Sequence, residues 1–133
     1  MTLDRMVKGL RKMRDRWLRS VLPAPAVDPS VLAAISGGDA AAERQMLQEF
    51  RRVNDHDAAA LMLGVERRDI AQVTAVSERI QGASRTCGAT ALAEVCERLQ
   101  RASIFSDWKA IDKNMPAFRR ELERLSSSCD EAK

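Results

Sequence analysis

The sequence predicts an all-α fold: an antiparallel four-helix bundle preceded by one further amphipathic helix. Three observations lead there. The 133 residues are 45% hydrophobic and 31% charged but only 4% aromatic, and Ala, Leu, Arg and Glu are abundant, a mixture that favours helices over sheets. Apolar residues recur at spacings of three and four through most of the chain, the period of a helix with one buried face. Short clusters of Gly, Pro, Asp and Ser, which start, stop and turn helices, separate the periodic stretches.

Leu3, Met6, Leu10, Met13, Trp17 and Val21 mark one face of a helix over residues 1–22 whose far side is cationic. The run Leu22-Pro23-Ala24-Pro25-Ala26 breaks it, and residues 23–27 read as a stiff linker. The bundle is assigned to residues 28–126. Asp28 as N-cap and Pro29 at the first position open a brief helix through about Ile35, which Ser36-Gly37-Gly38-Asp39 ends. A long helix follows from Ala40 to Glu66, with Leu47, Phe50, Val53, Asp57, Leu61 and Val65 on one side and Gly64 loosening its last turn.

Asp69 caps the next helix, which turns Ile70, Val73, Val76, Ile80, Ala83 and Cys87 inward and stops at Gly88. Ala89 to about Ser103 forms a further helix with Leu92, Val95, Cys96 and Leu99 inward. Asp107 caps the last, where Trp108, Ile111, Met115, Phe118, Leu122 and Leu125 form the stripe. Pro116 lies within that stripe and is expected to kink or divide the helix, since it removes a backbone donor and crowds the preceding turn. Residues 127–133 read as a polar, frayed tail.

Composition also excludes several classes. No apolar run approaches the roughly 18 residues a membrane span needs, and no contiguous apolar signal region is present, so a cytoplasmic location is expected. The three cysteines, Cys87, Cys96 and Cys129, contain no CxxC pair. Cys87 and Cys96 fall on apolar stripes and read as buried free thiols, not as a disulfide framework or a zinc site. The formal net charge of +3 conceals an asymmetry: residues 1–20 carry +5 and the remainder −2, a basic arm on a mildly acidic body. No catalytic triad, phosphate-binding glycine loop or metal-ligand cluster occurs, and no cofactor or metal is implied.

The most informative residue is Gly82. Advancing 100° per residue from Ile80 places Glu78 and Gly82 about 160° from the core direction, on either side, and Arg85 about 140° away, with Gln81 at the border at about 100°. Glycine inside a helix costs roughly 1 kcal/mol relative to alanine. On an outward face no core packing asks for it, so its simplest use is to let another molecule approach closely.

The residues around it carry a resemblance. Glu78-Arg79-Ile80-Gln81-Gly82-Ala83-Ser84, then Gly88-Ala89, then Leu92-Ala93-Glu94-Val95-Cys96-Glu97-Arg98-Leu99 resemble the signature helices of histidine phosphotransfer (HPt) domains, approximately H-x-[LI]-K-G-[AS]-[AS]-x-x-x-G-[AL] followed by L-x-x-x-C-x-x-L-E. Ala34-Ile35-Ser36-Gly37-Gly38-Asp39 and Leu47-Gln48-Glu49-Phe50 resemble the family's first helices, and the likeness runs from about Asp28 to Leu125. It implies an HPt-type bundle in a two-component phosphorelay, with receiver domains of response regulators or hybrid sensor kinases as partners and Glu78, Gln81, Gly82 and Arg85 as the partner-binding face. The family's phosphorylatable histidine aligns with Glu78 and its neighbouring lysine with Gln81. A relay histidine needs a neutral imidazole nitrogen to take up the phosphoryl group, and glutamate has none. The expected member is therefore degenerate: no catalytic residue, docking without transfer.

Two other readings stay open. The chain could be an active relay intermediate with an unexpected acceptor such as His56, the one histidine, although a surface histidine is its ordinary reading. Or it could be a structural or oligomerising protein working through residues 1–22, by self-association or contact with an anionic surface; no specific nucleic acid is predicted.

Overall fold

A computed structural model describes residues 2–21 and 25–131. Six helices follow in order: α1 Leu3–Val21, α2 Pro29–Ser36, α3 Ala40–Glu66, α4 Ile70–Thr86, α5 Thr90–Ile104 and α6 Trp108–Glu131. Helices α3 to α6 form the antiparallel bundle. α4 packs on α3 and α5, α6 closes the ring against α5 and α3, and the short α2 lies against α3. Phe118, Leu61, Ile80, Leu92, Leu99 and Ile111 are the largest side chains in its fully buried core.

The connections explain the ring. α3, α4 and α5 each end in a Schellman motif, in which one left-handed residue reverses the chain and two amides satisfy the last carbonyls. After α3, Arg68 N–H donates to the Val65 carbonyl and Asp69 N–H to that of Gly64. After α4, Gly88 donates to Arg85 and Ala89 to Ser84; after α5, Ser106 donates to Ser103 and Asp107 to Ala102. The left-handed residues are Arg68, Gly88 and Ser106, with φ of 55°, 79° and 52°. In the first and third turns the next residue is at once the N-cap of the following helix: the Asp69 carboxylate accepts from Gln72 N–H and that of Asp107 from Ala110 N–H.

Arg68 is held in its unusual conformation from the side chain as well. Its guanidinium forms a two-pronged pair with the Asp112 carboxylate at 2.8 and 2.9 Å and lies 4.8 Å from the Trp108 ring centroid. The α3–α4 turn is thereby tied to the start of α6. The same hydrogen bonds hold the Asp112 carboxyl below the usual carboxylate range.

Several expectations are corrected. Pro116 neither ends nor divides α6, which runs as one helix. The proline and the residue one turn before it, Asp112, both sit on the exposed side, where the carbonyl left without a helical donor is open to solvent. The polar segment after Ser126 is not a frayed tail: α6 continues to Glu131, Cys129 is buried beside Leu125, and Asp130 pairs with Arg51 on α3. Gly64 does not loosen α3 but is buried, and a Cβ there would lie 3.2 Å from side-chain atoms of Gln72 and Val73, so it lets α3 and α4 approach closely. Val53, expected inward, is exposed. Cys96 is buried, as is Cys129, but Cys87 is only half-buried. The linker 23–27 lies partly outside the described residues, and its last residue, Val27, is buried in the core.

Gly88 has a positional role no other residue can fill. Its φ is +79°, and a Cβ would lie 2.9 Å from the Val31 Cβ and 3.2 Å from the Asp28 carbonyl oxygen. Its own carbonyl accepts from Asp28 N–H at 2.8 Å, which seats α2 on the α4–α5 turn. Gly88→Ala is expected to destabilise the protein by about 1–3 kcal/mol, the scale of left-handed strain at a non-glycine residue, read as a lower midpoint in urea unfolding.

Burial pushes the Cys96 thiol from 9.0 up to about 12. Because the folded value is raised, this group's contribution to stability is intact below the unfolded thiol's range and is lost as pH rises through the folded one. Cys96 is expected to resist thiol reagents at pH 8 until the protein unfolds. The fall in stability between pH 9.0 and about 12 should be shallower in Cys96→Ala than in wild type. Rapid native-state labelling of Cys96 would contradict this picture.

Candidate functional site

The α4 face owes its position to the helix on either side. Val73, Val76, Ser77, Ile80 and Ser84 are buried against the bundle, which turns the opposite side outward. Glu78, Gly82 and Arg85 are all exposed on it, and Gln81 is half-buried at its border. The structure thus brings the four sequence-chosen residues onto one side of one helix. Nothing lies within 4 Å of where a Gly82 Cβ would be, so neither packing nor backbone conformation asks for glycine there. The Gly82 carbonyl accepts a hydrogen bond from the Thr86 hydroxyl at 3.0 Å.

The flanking charges are already paired. On the α3 side, Arg79 reaches the mostly buried Asp57 at 3.1 Å. On the α5 side, Arg85 reaches Glu97 at 3.3 Å, and Glu97 also holds Arg101 at 2.6 Å. Glu78, which precedes both arginines on the helix, has no hydrogen-bond or ion-pair partner among the described residues. The face therefore carries one uncompensated carboxylate at its centre and engaged cations at its edges.

Sequence reasoning missed the apolar half of this surface. Beside Gly82, toward α3, lies an open hollow of about 280 Å³ lined by Met46, Glu49, Phe50, Val53, Ala83, Thr86 and Cys87. Its floor is almost wholly hydrocarbon. Val53, which departs from the inward track of α3, borders it. The readable signal is the spacing 46, 49, 53 along α3, a second stripe beside the core stripe. His56 is exposed on α3, three residues beyond Val53, which keeps it on the same side of that helix. Among the described residues no group of three or more His, Cys, Asp or Glu side chains is placed to hold a metal ion.

A family model described as the Hpt domain matches residues 45–128, which is more than half of the chain. The chain belongs to the Hpt domain family. Hpt domains are phosphotransfer modules of two-component signalling that interact with receiver domains of response regulators and kinases. The fold agrees. The crystal structure of histidine-containing phosphotransfer protein B from Pseudomonas aeruginosa PAO1 superposes with a TM-score of 0.75 at 18% sequence identity, over 82% of this chain and 95% of that one. No curated protein sequence matches the chain. The all-α bundle expected from the sequence is thus the architecture found. The chain's histidine, His56, lies on α3, whereas Glu78, Gln81, Gly82 and Arg85 lie on α4.

If Gly82 serves contact and not folding, alanine there is free of steric cost. Gly82→Ala is expected to stabilise the bundle by about 0.5–1 kcal/mol, because alanine loses less backbone entropy in a helix interior. A higher urea midpoint than wild type checks this; a lower one would mean that the glycine has a packing role.

Proposed function

We propose that this Hpt domain docks receiver domains through the Glu78–Gly82 face of α4 and does not pass phosphate to or from them. The observation that carries the reading is the open space at Gly82, next to an apolar hollow and one helical turn from a glutamate in the acceptor position. A receiver's contact surface can descend onto the bare backbone at Gly82, bury side chains in the hollow, and meet Gln81 and Arg85 at the border. The chemistry of transfer is what this face lacks. A carboxylate can form an acyl phosphate, but such sites hold the extra charge with a metal ion and a cation. Of the arginines that follow Glu78 on α4, Arg79 pairs with Asp57 and Arg85, two turns on, pairs with Glu97. Glu78 then acts as a fixed anion, an incomplete likeness of a phosphorylated histidine.

A second reading is favoured by one observation: His56 is exposed on the side of α3 that carries Val53 and the hollow. It would be the acceptor if transfer does take place.

Both readings meet one experiment. The full chain is titrated with purified receiver domains from the same cell, and separately incubated with receivers carrying a radiolabelled aspartyl phosphate. Docking without transfer predicts binding that Gly82→Arg weakens by tenfold or more, about 1.4 kcal/mol, and no label on the wild-type chain. Unchanged affinity in Gly82→Arg would remove the proposed face. Label that moves to the wild type and is abolished by His56→Ala would replace non-transfer with the second reading. Introducing Glu78→His together with Gln81→Lys is expected to create label uptake if the rest of the face retains the geometry of an active domain.

A further inference from the structure

The bundle accounts for every helix but α1. That helix makes no extensive packing contact with another described element, and its apolar stripe faces water: Leu3 is 75% exposed, Met6 53%, Leu10 59% and Met13 66%, with Val7 and Trp17 also exposed. On a helical wheel Leu3, Met6, Val7, Leu10 and Met13 fall within an arc of about 120°. Arg5, Lys8, Lys12 and Arg16 gather within about 80° on the opposite side. The helix is thus amphipathic, with Arg14 the one cation inside the apolar arc, and the stripe stays largely open to solvent.

We infer that α1 is an interfacial anchor that lies along an anionic lipid bilayer surface. The apolar stripe would enter the boundary between headgroups and acyl chains, and the arginines and lysines would sit among the anionic headgroups. Charge complementarity selects this occupant. Residues 1–20 carry seven basic residues against Asp4 and Asp15, a charge of +5, whereas the rest of the chain carries −2. An anionic surface attracts the arm and repels the body, so α1 makes the contact and the bundle is held off it.

The two other occupants each use half of the helix. A second copy of α1 would cover the stripe but would bring together two helices of charge +5 with only two acidic residues apiece to pair. A nucleic acid would neutralise the cations but leave the stripe in water. A bilayer surface satisfies both faces at once. The helix lies on the membrane and does not cross it: no helix among the described residues is long and apolar enough to span. The anchor stands apart from the α4 docking face and does not depend on the receiver reading. Together they would confine receiver docking to the membrane surface.

The test is co-sedimentation of the full chain with vesicles of phosphatidylcholine alone or mixed with phosphatidylglycerol. Binding to the mixed vesicles at low salt is expected to exceed binding to neutral ones by about tenfold or more, and to fall steeply in high salt. Leu10→Glu with Met13→Glu, and separately Lys8→Glu with Lys12→Glu, are each expected to abolish it. Both double variants should keep the wild-type thermal unfolding curve of the bundle, because the substituted side chains are exposed and lie outside its core. Failure to bind anionic vesicles overturns the inference, as does binding that survives either double variant. A dimer lost in Leu10→Glu with Met13→Glu, without vesicle binding, would assign the stripe to a second copy. Retention of a DNA duplex without vesicle binding would assign the arm to nucleic acid.

Discussion

Each of the three turns joining α3 to α6 hinges on a single residue in the left-handed backbone region. Such a residue reverses the chain within about three residues and leaves no cost in unpaired carbonyls, because its own amide and the next one close the helix end. With connections so short, each helix must run back along its predecessor, and a ring of four antiparallel helices is the packing that buries all their stripes. Two of the turns place residues in this region that do not favour it. Arg68 is compensated by Asp112 and the Trp108 ring, which belong to α6. That side-chain clasp bridges the first and last helices of the ring across the same end of the bundle, so a locally strained backbone position becomes a long-range tie.

The glycines divide by what surrounds them. Gly88 sits where both conformation and space forbid a Cβ, since Val31 and the Asp28 carbonyl press on it. Gly64 has an ordinary helical conformation but faces α4 at a distance that leaves little room for a side chain. Gly82 has neither constraint. The first two are explained by the fold they are part of, and the third is not. Its exposure is meaningful because α4 is held on both flanks by α3 and α5 and at its ends by two turns, which leaves one face with a bare patch of backbone. A contact surface on such an element loses little conformational entropy on binding, and the hollow next to it supplies hydrocarbon that a hydrophilic patch alone would lack.

Most of this was legible in the sequence, and the exceptions have physical reasons. The limits of α3 follow from Asp39 ahead of it and the end of the apolar period behind it, and they coincide with the helix found. The outward face of α4 follows from periodicity alone, because α4 is packed on both flanks and a helix so placed has one free side. Arg68 and Ser106 were not legible as left-handed residues: the usual signal is glycine or asparagine, and here tertiary contacts and the capping aspartate after each take its place. The end of α6 was hidden by Ser126-Ser127-Ser128, which reads as polar coil, although Phe118, Leu122, Leu125 and Cys129 continue the spacing of four and three. Val53 was placed inward because the α3 stripe is broader than one core-facing row. Its outer edge, at Met46, Glu49 and Val53, belongs to the hollow.

The electrostatics of the α4 face bear on the proposal that it binds without reacting. In a relay the acceptor must gain a phosphoryl group and give it up again, so the bound and free states have to lie close in energy. A histidine achieves this by offering a neutral nitrogen and returning to it. Glu78 offers a carboxylate in open solvent, and every route that would lower the energy of a phosphorylated carboxylate needs positive charge beside it. Neither arginine that follows on α4 supplies it: Arg79, next in sequence, turns to Asp57 on α3, and Arg85, two turns further on, pairs with Glu97 on α5. Freeing either would break an ion pair that crosses between helices, and for Asp57 it would leave a mostly buried carboxylate without its partner. The pairs that brace α4 against its neighbours thus hold their charge at its flanks, and Glu78 has none beside it. What the face offers instead is shape: the gap at Gly82 and the hydrocarbon beside it.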